Sequence, residues 1–169
     1  TRTGLIEAGL QAGETAGIQI LHDYGLLNAG SIAVGQGAYA KAPVRLATAA
    51  ALAAYPRVGN VITANANGVI ASIDGVALAA GQRILLKDGA AGADNGIYEV
   101  TSIGAVGAPF VLTRAGDMAL STDLAPGMEV PVIEGATNAD TKFVLTNDAA
   151  STINSTALVF EAAPGRIRL

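Results

Sequence analysis

The sequence predicts an all-β fold: a small antiparallel sandwich or barrel, preceded by an N-terminal arm and carrying one short helix near residues 47–54. Three observations carry that reading. From Val58 onward, short β-branched runs recur at ~8–12 residue spacing with turn residues between them. Asp-Gly and Asn-Gly pairs, which accept positive φ, stand at the corners. Residues 1–42 instead hold eight glycines, a density hostile to a long helix.

The elements follow in order. Residues 1–43 read as an arm or connector, with Ile18–Leu21 and Ser31–Val34 as its possible strands. Ala47–Ala54 is the local helix candidate, because Ala and Leu favour helix and Pro43 and Pro56 bound the stretch. At about two turns it is marginal alone. Val61–Thr63 and Val69–Ile73 are strand candidates joined through Asn67-Gly68, a hairpin signal. Asp74-Gly75 is a second turn. Arg83–Lys87, Ile97–Thr101, Phe110–Thr113, Met128–Ile133, Lys142–Thr146 and Ala157–Glu161 complete the series. Pro131 lacks an N–H, so its strand belongs at an edge or a bulge. The β-domain spans residues 44–163, and 164–169 form a tail.

Composition narrows function. Charged residues make up 14% of the chain, the net charge is −4, and the ten Lys and Arg are scattered. Nucleic-acid binding needs clustered basic residues and is not expected. No run approaches the roughly 18 apolar residues of a membrane helix. Cysteine is absent, which excludes disulfides and thiolate metal sites.

Motifs for chemistry are thin. Gly35-Gln36-Gly37-Ala38-Tyr39-Ala40 fits a dinucleotide fingerprint in letters only. Pro43 disfavours the helix it requires, and no acid stands 20 residues on. His22 is the single histidine, and no G-x-S-x-G elbow accompanies it. Paired carboxylates could serve glycoside hydrolysis. Asp88 with Asp94, and Asp117 with Asp123, are the candidate pairs, but Asp favours turns at such places for backbone reasons. Asn154-Ser155-Thr156 is a formal glycosylation sequon. A carbohydrate-binding module would draw on Tyr98, Asn95 and Asp117, with Tyr55 as a further ring, although nothing in the sequence brings them together. No catalytic residue, cofactor or metal is expected.

A wider pattern runs through residues 44–161. Val44–Thr48 opens it, followed by Ser72–Leu78, Gly81–Asp88 and Asn95–Val100. Val111–Ala115 with Asp117, Val132–Thr141, Phe143–Thr146 and Thr156–Leu158 close it. In order and spacing this resembles a β-domain of bacteriophage tail fibres and related virion fibres and spikes. The resemblance implies a structural virion protein, typically a homotrimer, in a tail fibre, head spike or baseplate appendage. It implies no catalytic residues, a place in a phage or phage-like particle, contact with other virion proteins through the arm, and host-surface glycans as an attachment target. Family members often carry Trp where this chain has Phe or small residues near Phe110, Phe143 and Phe160, so stacking surface for sugars is reduced. Residues 1–40 lie outside the resemblance. Arg83, Lys87 and Arg114 are expected to pair with Asp74, Asp88, Asp117 or Asp140 near strand ends.

Overall fold

Two β-sheets and a hairpin make up the part of the chain that the computed structural model describes, residues 39–163. The arm strands proposed at 18–21 and 31–34, His22, the Gly35–Gly37 motif and the 164–169 tail lie outside the described residues. The strands are β1 (Leu46–Ala47), β2 (Arg57–Val58), β3 (Val61–Thr63), β4 (Ser72–Ile73), β5 (Val76–Ala77) and β6 (Arg83–Leu86). They continue with β7 (Gly96–Ser102), β8 (Val111–Arg114), β9 (Glu129–Pro131), β10 (Lys142–Leu145) and β11 (Phe160–Ala162). A six-stranded sheet runs β1-β6-β7-β8-β3-β2, a three-stranded sheet runs β11-β10-β9, and β4 pairs with β5. Every pairing between these strands is antiparallel except β1 with β6. The fold is all-β.

The central strands are buried on both faces, which explains their nearly continuous apolar sequence. Leu85 and Ile97 point one way and join Val130, Phe143, Leu145 and Phe160 of the three-stranded sheet in one core. Ile84, Leu86, Tyr98 and Val100 point the other way, into a second core with Ile62, Leu112, Phe110 and Ile73 of the β4–β5 hairpin. Alternation along each strand therefore builds three layers from one sheet in the middle.

The expected helix at 47–54 does not form. Leu46 and Ala47 are fully buried on opposite faces of the sheet. The flanking amides of Arg45 and Thr48 donate to Arg83 O and Leu85 O, each at 2.9 Å. A two-turn helix would give up that pairing for a marginal gain. Beyond Thr48 the chain bends, and Ala49–Ala51 are exposed. The Asn67-Gly68 hairpin is also absent, since β3 pairs with β2 and β8 and never with β4. Gly68 N donates instead to Ala108 O at 3.1 Å.

Asp74-Gly75 does form the β4–β5 turn, both residues having positive φ, 48° and 77°. Pro131 lies on an edge strand, as its missing donor requires. Its neighbours Val130 and Val132 face β10, while the odd positions face residues 39–44. On that side Lys41 N donates to Glu129 O and Val44 N to Pro131 O, with Ala42-Pro43 looping between. Proline thus sits where only its carbonyl is needed.

Candidate functional site

Tyr98, Asn95 and Asp117 do not share a surface. Tyr98 points into the second core and has no exposed area. Its hydroxyl donates to Asp94 O at 2.7 Å, and the Arg114 guanidinium lies 4.9 Å from its ring centroid. Burial holds the phenol well above its ordinary pKa. The ring offers nothing to a sugar, because the register that buries Val100 also buries Tyr98 two residues earlier. Asn95 is buried as well. Its Oδ1 accepts from Gly89 N and its Nδ2 donates to Leu158 O, both at 2.8 Å. Asp117 stands apart from these two and pairs with Arg83 at 2.9 Å.

What the first two residues belong to is a buried polar network. Arg114 donates from Nε to Asn154 Oδ1 (2.8 Å), from one terminal nitrogen to Asn95 O (3.0 Å) and from the other to Ala93 O (2.9 Å). Arg57 pairs with the Asp94 carboxylate and also donates to Asn154 O. Asn154, at φ 64°, donates to Asn60 Oδ1 at 2.8 Å. Burial depresses the Arg114 pKa and Tyr98 opposes that shift. The network joins β2, β8, the 3-10 turn Gly92–Asp94 and the loop around Asn154. Gly96 leaves room for it: its φ is 145°, and a Cβ there would strike the Arg114 guanidinium. The sequon amide at Asn154 is likewise committed to protein partners.

The remaining turn acids are engaged in the same way. Asp74 accepts from the backbone N–H of Thr137 (3.0 Å) and Asn138 (2.8 Å), and Ala136 N donates to its carbonyl at 2.8 Å. Gly135 packs so closely that a Cβ would meet the Asp74 carboxylate. Burial works against the Asp74 charge, but the N–H donors of Asn138 and Thr137 outweigh it, so its pKa lies below the ordinary value. Asn138 Nδ2 reaches on to Thr48 O at 3.2 Å, tying this loop to the end of β1. Asp88 accepts from Thr48 Oγ1 and pairs with Lys87. Asp123 accepts from the amides of Ala119 and Leu120. Buried Lys41 donates to Asp117 O (2.8 Å) and Asp123 O (2.6 Å), closing two 3-10 turns. Burial lowers its pKa, with Asp117 and Asp123 opposing.

Of the expected pairings, Arg83–Asp117 and Lys87–Asp88 form, whereas Arg114 bonds to amide and carbonyl oxygens. Sequence reasoning missed Arg57 and Lys41, and singled out Asn154 as a sequon without its place in this network. The only sequence signal among them is an Asn suited to positive φ within a Ser/Thr-rich loop. Among the described residues no group of three or more His, Cys, Asp or Glu could hold a metal ion.

One concavity among the described residues is a groove of about 470 Å³ between residues 51–54 and 64–72, lined also by Phe110. No charged side chain lines it, and Phe110 is buried. Such a groove supplies neither an acid–base pair nor an exposed ring for stacking. No protein-family model matches this chain, and neither a curated protein nor a solved structure matches it.

Proposed function

We propose that this chain is a structural component of a phage or phage-like particle, in a tail fibre, head spike or baseplate appendage, and that it assembles as a homotrimer. One observation supports an architectural reading above the others. The turn acids Asp74, Asp88, Asp94 and Asp117 are each bonded to a backbone amide, a Thr hydroxyl or a basic side chain of a segment distant in sequence, and Asp123 to the amides of its own turn. Carboxylates used in that way fix loops, and none of the five is among the residues lining the described groove. The glycan-binding alternative loses its main ring with the burial of Tyr98.

Light scattering on the purified chain tests the assembly. The expected mass is three times 16.8 kDa, and a single-chain mass at every concentration would overturn the homotrimer. The genes beside its own test the setting, since tail, baseplate or head genes are expected there.

A further inference from the structure

The chain between β1 and β2 is bonded to little. Across residues 49–55 no backbone N–H donates a hydrogen bond, the longest such run in a loop among the described residues, and no carbonyl of residues 49–53 accepts one. Ala49, Ala50, Ala51, Ala53 and Ala54 are exposed. Leu52 and Tyr55 are partly buried and pack against the second core. The residues just before this run are held firmly. Val44, Leu46 and Ala47 are fully buried. They lie between two partners: Arg45 N and Thr48 N donate to Arg83 O and Leu85 O on one side, while Ile133 N and Glu134 N donate to Val44 O and Arg45 O on the other. Thr48 Oγ1 adds a bond to Asp88, and Arg45 a bidentate pair with Glu134.

We infer that residues 49–51 are a proteolytic processing site, cut by an endoprotease whose S1 pocket admits small apolar side chains, and that the cut chain stays together. A protease must gather the backbone of its substrate into its own cleft, so burial and native hydrogen bonds decide where a folded chain is cut. Here no native backbone bond has to break, and the contact of Leu52 with the core is what must lift. Water then adds at the Ala50 carbonyl and the Ala50–Ala51 bond breaks, leaving a carboxylate on one piece and an amine on the other. Alanine suits a small S1 pocket, and no Lys or Arg stands within residues 49–55 to fill a pocket built for basic side chains. Residues 147–151 also have unpaired amides, but that run is shorter and carries the Asp148 charge. It is also tied down by Asn147, whose side chain bonds to Ala157 O and Val159 N. After a cut at 49–51, residues 44–48 remain wedged between β6 and residues 131–134, so the two pieces part only when the fold does.

Brief treatment of the native full chain with elastase, read by mass spectrometry, tests the site. Among cuts within residues 39–163, the first is expected at residues 49–51. The cut protein is expected to keep the light-scattering mass and circular-dichroism spectrum of the intact one, and its pieces to separate in urea. Ala51→Pro removes an amide that bonds to nothing, so it is expected to keep the fold and lose the early cut. Should that variant misfold, Ala50→Asp makes the same test by offering a carboxylate to the small pocket. Arg114→Ala, which strands buried carbonyls and lowers global stability, is expected to leave the rate of the early cut unchanged, because the opening is local. A rate that rises with that destabilisation, or a first cut at residues 147–151, overturns the site. Pieces that separate in native buffer overturn their retention and leave the site standing.

Discussion

The Arg114 network and the Asp74 cradle perform the same task, holding a loop against a sheet, by opposite means. In the first, the Arg114 guanidinium is buried against Tyr98 with that of Arg57 mostly buried nearby, and their partners are largely carbonyl oxygens in the interior or at its margin. In the second, one carboxylate gathers backbone N–H groups near the surface. Loss of the first leaves several buried groups unpaired; loss of the second leaves groups that water can serve. The cost of a polar contact follows less from its bond count than from what its removal strands.

The largest effect is therefore expected at Arg114. Arg114→Ala abandons the carbonyls of Ala93 and Asn95 and the Asn154 amide oxygen, and uncovers the Tyr98 ring. At about 1–3 kcal/mol per stranded group the loss is on the order of 3–5 kcal/mol. Urea unfolding measures it. A loss below about 1 kcal/mol would remove the distinction between the two lashings.

Next comes the buried pair of Arg57 and Asp94. Asp94→Ala leaves the Arg57 guanidinium charged and partly orphaned, at a cost of about 2–3 kcal/mol. Replacing both partners by Leu is expected to cost less than Asp94→Ala alone, because no buried charge is then left unpaired. The ordering of the two variants in one denaturant series decides the matter.

Asp74→Ala is expected to cost about 1–2 kcal/mol, as loss of a helix N-cap does when a carboxylate leaves backbone amides. This contact also carries a pH signature. Its folded pKa is lowered, so the unfolded chain binds the proton more tightly. The contribution is fully present above the unfolded value of about 4 and is lost as pH falls through the lower folded value. Asp74→Asn is expected to keep the turn, since Asn tolerates positive φ, and to abolish that part of the acid dependence. Stability against pH for the two proteins provides the comparison.

This contrast also shows what was legible in the sequence. The strands at 83–86, 96–102, 111–114 and 142–145 were readable because each carries its signal locally, as a β-branched run or an alternation. The Asp74-Gly75 turn and the edge position of Pro131 were readable for the same reason. Ala47–Ala54 misled because propensity is local, while the pairing of Leu46 and Ala47 with β6 spans nearly forty residues of sequence. Tyr98 misled because alternation fixes that two faces exist and not which one meets water; here both faces of β7 are covered over much of its length. The Arg114 network was illegible because its members, from Arg57 to Asn154, meet only in three dimensions. The Asp74 cradle was half legible: the turn could be read, and the loop it captures could not.

The smallest effect is expected on the outer face of the three-stranded sheet. Lys142 and Glu129 are 2.8 Å apart, with side chains 45% and 42% exposed. Water screens the pair, and two long side chains lose rotamer freedom to hold it. Their coupling in a double-mutant cycle is expected to be about 0–1 kcal/mol and to shrink as salt is raised. A coupling of several kcal/mol that resists salt would mean that water does not reach this face, and the contrast with the buried Arg57–Asp94 pair would be lost.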